Sequence, residues 1–337
     1  MTTPQMTMQG GPGSRLQGIR STVAATNAAP IYFVLLIVFL TAWVVVSLAG
    51  GSFLTIDNLT SMLIRSVALG IVAAGMTVVI LAGSLDLSVA YLISVAAVVS
   101  SVIMNGDPDR IGIAVIAVLG IGIVVGLING VLVTKLHVNA FIATLGVALI
   151  LRGFLNAAFD NFAGKVAPEF EVLGYGSLGP IPWSVILLAL TMLAVWFLLR
   201  STRFGHHVYA VGGSEETARL SGVRSHRIII GAHVICSLTA VLTGLFLVAR
   251  IRAGAPWIGP DGGYDLEAIA AVVVGGTALA GGRGGVWGTL AGVFILAIID
   301  NAFNALQFNS FVKDVVRGVI IIAAVAIYAL REHRAGR

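Results

Sequence analysis

Charge is scarce in this chain. Only 10% of its 337 residues are Asp, Glu, Lys or Arg, against about 25% in soluble domains. Hydrophobic residues make up 58% and the mean hydropathy is +1.01. A deficit spread over the whole length excludes a soluble globular protein and predicts an all-α polytopic membrane protein. Lysine is scarcer still: Lys135, Lys165 and Lys313 are the full set. None lies in a GxxxxGK[ST] phosphate loop, so the chain is not expected to hydrolyse ATP itself. The single cysteine, Cys236, sits in an apolar run and excludes an intramolecular disulfide or a cysteine-based metal cluster. There is no HExxH motif, no metal-ligand spacing and no nucleophile elbow, and the loop pair His206-His207 is not expected to hold a metal.

What is abundant is long apolar runs. A helix needs about 20 apolar residues to cross the hydrocarbon. Ten segments qualify: 31–49, 62–82, 87–104, 111–133, 140–158, 183–199, 228–249, 264–281, 286–305 and 314–330. A short Gly-Ser-Leu-Asp turn separates the second from the third, so this pair is either broken or re-entrant. The eighth starts with charges and ends in glycines, and is short or partly re-entrant. Residues 1–30 are polar and read as a disordered cytoplasmic tail. Residues 31–331 form the membrane domain and 332–337 a second cytoplasmic tail.

The net charge of +5 and isoelectric point near 9.7 do not point to nucleic acid, because the basic residues fall on one side of the membrane. With the N-terminus inside, the cytoplasmic segments hold Arg15, Arg20, Lys135, Arg200, Arg203, Arg219, Arg224, Arg227, Arg283, Arg331, Arg334 and Arg337, against Glu215, Glu216 and Glu332. The opposite side collects Asp57, Asp107, Asp109, Asp160, Glu169, Glu171, Asp261, Asp265, Glu267 and Asp314. The positive-inside rule therefore places both termini in the cytoplasm.

The two halves echo each other. Residues 65–83 (RSVALGIVAAGMTVVILAG) resemble 227–244 (RIIIGAHVICSLTAVLTG), Leu85-Asp86-Leu87 resembles Tyr264-Asp265-Leu266, and NAFI at 139–142 resembles NSFV at 309–312. Glycines recur at i, i+4, i+8 in the fourth span (Gly122, Gly126, Gly130) and the ninth (Gly284, Gly288, Gly292). They are expected to let helices approach closely. Five spans separate the copies, which inverts the second, a recurrent transporter plan with the solute path between the copies. Polar groups in lipid are costly. Asp86, Asn129, Asn139, Arg152, Asn156, Asp300, Asn301 and Asn304, with Phe141, are candidates for the path. The alternative is structural: Arg152 pairs with Asp86 or Asp300, or snorkels.

One polar stretch, 200–227, interrupts the spans. It holds five arginines, three histidines and two glutamates. A bundle that only conducted a solute would not need it; a bundle driven by a partner would need such a cytoplasmic surface. A short helix is expected from about Ser214, which can cap it, to Leu220, with Gly222 to stop it. Such a helix would offer Ala218 and Leu220 to a groove in a soluble partner, with Glu216 and Arg219 at its rim.

Glu216-Thr217-Ala218-Arg219-Leu220-Ser221-Gly222 resembles the E-A-A loop of ATP-binding-cassette importer permeases, with Thr217 in place of the middle alanine. More specific are Ala74-Gly75-Met76-Thr77, Gly83-Ser84-Leu85-Asp86-Leu87-Ser88, 139–146 (NAFIATLG) with Arg152-Gly153, 202–214 (TRFGHHVYAVGGS) and 271–289 (AVVVGGTALAGGRGGVWGT). These look like ribose-type sugar permeases over residues 35 to 330. Ser84 stands where that family often has glycine, and Asp300 where it often has asparagine. The resemblance implies a type II importer permease with ten spans, working as a homodimer or with a paralogue. It implies a separate ATPase subunit that carries the ATP and magnesium and docks at Arg203, Glu215, Glu216, Ala218, Arg219, Leu220 and Gly222. It also implies a periplasmic or lipid-anchored solute-binding protein, and residence in a bacterial inner membrane. The chain itself would carry no cofactor. Cargoes left open are a monosaccharide or polyol, a branched-chain amino acid, a nucleoside or a furanosyl signal. An ion-coupled secondary transporter predicts acids near the midplane and leaves the 200–227 loop without a use, and a scaffold would need neither broken spans nor glycine ladders.

Overall fold

The computed structural model describes residues 29–309 together with 311–313, 315–316, 318–319 and 322. Most of the expected tail 1–30 and of the expected tenth span, 314–330, lies outside the described residues. The helices are α1 (Ala29–Leu48), α2 (Ile56–Leu81), α3 (Val89–Met104), α4 (Ile111–Thr134), α5 (Ala140–Ala158), α6 (Val172–Tyr175), α7 (Trp183–Ser201), α8 (Arg203–Gly213), α9 (Glu215–Leu220), α10 (Ser225–Ile251), α11 (Ile258–Asp261), α12 (Tyr264–Val274) and α13 (Val286–Ala305). A two-stranded hairpin, β1 (Ser177–Leu178) and β2 (Ile181–Pro182), precedes α7. Among the described residues, seven helices are long and apolar enough to cross a membrane: α1, α2, α4, α5, α7, α10 and α13. Helices dominate because lipid offers the backbone no hydrogen-bond partner and each helix satisfies its own.

Two expected spans differ in form. The third is a helix of 16 residues, preceded by the non-helical turn 82–88. The eighth is helical for 11 residues only and stops at Gly275. Gly275 marks the stop because α13 crosses there: a Cβ on Gly288 would overlap Gly275 O, and one on Gly292 would overlap Ala271 O. Gly284 was expected to continue that ladder. It instead lies ahead of α13 in the non-helical 275–285 segment at φ +135°, a conformation open to glycine alone.

α2 and α10 are the most deeply buried of the long helices. Their small residues explain it. α10 runs antiparallel to α4 at backbone contact: a Cβ on Gly126 would fall 2.5 Å from Val234 Cα, and one on Gly130 would fall 2.6 Å from Ile230 Cα. α2 meets α13 through Thr77 Oγ1 and Thr289 Oγ1, 2.7 Å apart. Asn58 and Asn301 exchange amide hydrogen bonds of 3.2 and 2.8 Å across the same pair.

At one end of the bundle the connections form a cap. Ala163 and Gly254 pair as an antiparallel bridge, Gly106 N donates to Lys165 O, and Arg252 binds Glu171 at 2.9 Å. Arg250 and Arg252 both lie over the Tyr175 ring, 4.9 and 4.7 Å from its centroid. The other end carries α8 and α9.

Candidate functional site

α7 ends at Ser201, and Thr202 turns the chain. Its hydroxyl accepts from Gly205 N at 3.1 Å and donates to Leu198 O at 2.6 Å, so one side chain closes α7 and caps α8. α8 went unforeseen in the sequence. The signal was there: Phe204, Val208 and Val211 recur at helical spacing, and Val208 and Val211 are buried while Arg203 and His206 face out.

Ser214 breaks α8 from α9 with extended backbone, φ −165° and ψ 106°, and its Oγ accepts from Thr217 N at 3.2 Å. The far end closes as a Schellman motif. Val223 N donates to Ala218 O at 3.0 Å and Gly222 N to Arg219 O at 2.9 Å, with Gly222 at φ +85°. Glu215 accepts from Ser225 Oγ at 2.8 Å and so fastens α9 to the start of α10. One expectation fails on geometry. Ala218 is 5% exposed and packs into the chain's own core, so it is not offered to a groove. The outward face consists of Glu216, Thr217, Arg219 and Leu220, the last 80% exposed.

α8 is joined to the bundle by glycine. A Cβ on Gly212 would overlap Leu81 O at the end of α2. A Cβ on Gly281 would lie 2.9 Å from Gly212 O and 3.0 Å from Gly83 Cα. Gly282 N donates to Leu81 O at 3.0 Å, and Tyr209 Oη donates to Gly284 O at 3.1 Å. The ends of α2 and α8 and the 275–285 segment therefore meet backbone to backbone, with no side chain between them to absorb a displacement.

Immediately beyond this junction lies a buried polar network. Asp86, fully buried, accepts from Ser88 N at 2.9 Å and Ser88 Oγ at 2.6 Å. Asn129 Nδ2 on α4 donates to both carboxylate oxygens at 3.2 Å and to Ser88 Oγ at 2.8 Å. His233 on α10, also fully buried, bridges Asp86 Oδ2 (3.3 Å from Nδ1) and Ser84 Oγ (3.0 Å from Nε2). Leu87 N donates to Thr144 Oγ1 on α5 at 3.1 Å. The turn between α2 and α3 thus holds α4, α5 and α10 together. On α10, His233 is a hydrogen-bonding partner of Asp86. Arg152 is not: it stands exposed on α5. His233 escaped selection from the sequence, although an ionisable residue inside an apolar span is itself a signal.

The other candidates for the path are scattered. Asn139 caps α5, accepting from Phe141 N at 3.0 Å, and Phe141, Arg152 and Asn156 are exposed on that helix. Asp300 is half-buried on α13. Asn301 is bound to Asn58, and Asn304 accepts from Lys313 Nζ.

A family model described as Branched-chain amino acid transport system / permease component matches residues 58–325. The chain belongs to this permease family. The permease is 39% identical over 297 residues to the ribose import permease protein RbsC of Escherichia coli (strain K12), covering 87% of this chain and 92% of that protein. Its identity to RbsC of Bacillus subtilis (strain 168) is 37% over 290 residues, 84% of the permease and 88% of the relative. With the L-arabinose transport system permease protein AraH of Escherichia coli (strain K12) it is 35% over 292 residues, 86% and 88% of the two chains. The ribose-type resemblance of the motifs therefore extends over most of the chain. No solved structure matches the permease.

Proposed function

We propose that this permease is the non-catalytic membrane subunit of an ATP-driven, binding-protein-dependent importer that carries a monosaccharide or related polyol across the inner membrane. The observation that carries the reading is α9. It is a short helix capped at both ends, held by its buried Ala218, with Leu220, Glu216 and Arg219 turned outward. Such a helix fits a cleft in a soluble partner. The glycine junction at Gly212 gives its motion a rigid route into the bundle. A separate ATPase carrying ATP and magnesium is that partner, and Arg203, Glu215, Glu216, Arg219, Leu220 and Gly222 shape the surface it meets. The sugars named for the relatives support a monosaccharide as cargo.

The cationic α8–α9 end lies in the cytoplasm with both termini, by the positive-inside rule. The opposite cap then faces the solute-binding protein. Arg152 and Asn156, one turn apart and exposed on α5, mark a face that hydrocarbon would not solvate. A second copy or a paralogue covers this face and encloses the path with it. Asp86 and Asn129, whose hydrogen bonds go to each other and to His233 and Ser88, hold the helices that border it.

Reconstitution into vesicles tests the whole reading. Uptake of ribose, arabinose or galactose is expected only with the ATPase, ATP and binding protein present. Uptake by the permease alone would overturn it.

A further inference from the structure

Three cationic side chains, Lys135, Arg224 and Arg227, gather around His226 where α4 ends and α10 begins. The antiparallel register follows from the glycine ladder: Gly122 lies against Ser237 and Val241, Gly126 against Val234, and Gly130 against Ile230. Extended by one turn, it sets Lys135 and Thr134 against Ser225 and His226, with Arg224 and Arg227 on either side. Lys135, Arg224 and Arg227 all lie within electrostatic reach of His226. Among the described residues, none of the three forms an ion pair. Of the two acids on the adjoining helix, Glu215 accepts from Ser225 and Glu216 stands exposed.

The apolar face leading to this cluster decides what it binds. Val124, Ile128 and Val131 are exposed on α4 and fall on one stripe at spacings of four and three, and four residues on, the same stripe reaches Lys135. From Val124 to Lys135 is about 16 Å of helix, against roughly 15 Å for half a bilayer core. An acyl chain laid along this stripe brings its phosphate to Lys135. An acidic protein surface would use the charges and leave the stripe without a purpose. Leu136, 63% exposed beside Lys135, fits the interface as well.

We propose that Lys135, Arg224, His226 and Arg227 form a headgroup site for an anionic phospholipid in the leaflet next to α9. The site needs only that the chain spans a bilayer, so it stands or falls apart from the importer reading. Glu215 and Ser225 connect it to α9, so an occupied site steadies the root of the coupling helix.

The test is retention of phosphatidylglycerol against phosphatidylcholine by the full-length permease, extracted from vesicles holding equal amounts and weighed by native mass spectrometry. The wild type is expected to retain phosphatidylglycerol selectively; equal retention of both lipids overturns the proposal whatever the variants do. Replacing Lys135, Arg224 and Arg227 together by Gln is expected to weaken retention about fivefold per charge removed. Removing three cations elsewhere at the same end (Arg200→Gln, Arg203→Gln, Arg219→Gln) is expected to leave it unchanged. Equal loss in both triple variants would reduce the effect to overall charge and sink the site. A Lys135, Arg224, Arg227 variant that keeps its lipid but no longer captures the ATPase would make the cluster a protein-docking surface instead.

Discussion

Single residues in this permease are placed by local backbone demands and by the cost of burying charge. Gly222 holds φ +85° at the end of α9, and any other residue there pays about 1–2 kcal/mol. Gly222→Val is expected to fray α9 and remove ATPase co-purification while the monodisperse permease peak persists. Glu216→Arg is expected to give the same loss with no change in thermal unfolding, since Glu216 is exposed. His233→Ala removes a hydrogen-bond partner of Asp86 and empties a fully buried site, at a cost of roughly 2–5 kcal/mol, measurable as a large fall in the unfolding midpoint. Ser84→Gly removes one bond to His233, worth about 1 kcal/mol, and should shift it far less. Asp86 and Gly222 stand out in the sequence, because a charge among apolar runs and a glycine after a short polar helix are local signals. The partner of His233 and the inward aim of Ala218 do not, because both depend on what lies across the interface.

At the level of elements, helix approach is set by where glycine sits, not by how many glycines there are. Gly126 faces the backbone of α10 at 2.5 Å, whereas Gly120, six residues earlier, has nothing within 4 Å. Gly126→Leu must push α4 and α10 apart, at a cost of 1–3 kcal/mol or more for overpacking, and is expected to collapse the yield of monodisperse protein. Gly120→Leu should stay within about 0.5 kcal/mol of the wild type. Equal tolerance of both would contradict the packing of α4 on α10. The two ladders looked alike as text, yet one packs on α10 and the other on α12, with Gly284 outside any helix. Spacing shows that a helix face is small; it carries no information about which neighbour uses it.

For the molecule as a whole, the consequence is mechanical. α9 is tied to α10 by Glu215, and α8 to α2 and the 275–285 segment by Gly212 and Gly282. If α9 is the coupling helix proposed above, a push on it would reach the Asp86–His233 network through the Glu215–Ser225 bond and the backbone contacts at Gly212 and Gly282. Gly212→Ala opens that junction. It is expected to leave ATPase capture intact and to abolish ATP-driven uptake in vesicles, a separation that neither simple unfolding nor a lost docking surface would produce.

The membrane class, most helix limits and both caps of α9 were decided by the sequence itself. Each rests on hydropathy over about 20 residues or on hydrogen bonds reaching three to five positions along the chain. The tertiary structure alone decided that Asp86 meets His233, 147 residues away, that Gly212 meets Leu81, and that Ala218 turns inward. In a chain so uniformly apolar, many helix pairings bury similar surfaces. Which one forms depends on backbone approach and on partners for a few buried polar groups, and both are properties of residues far apart in sequence.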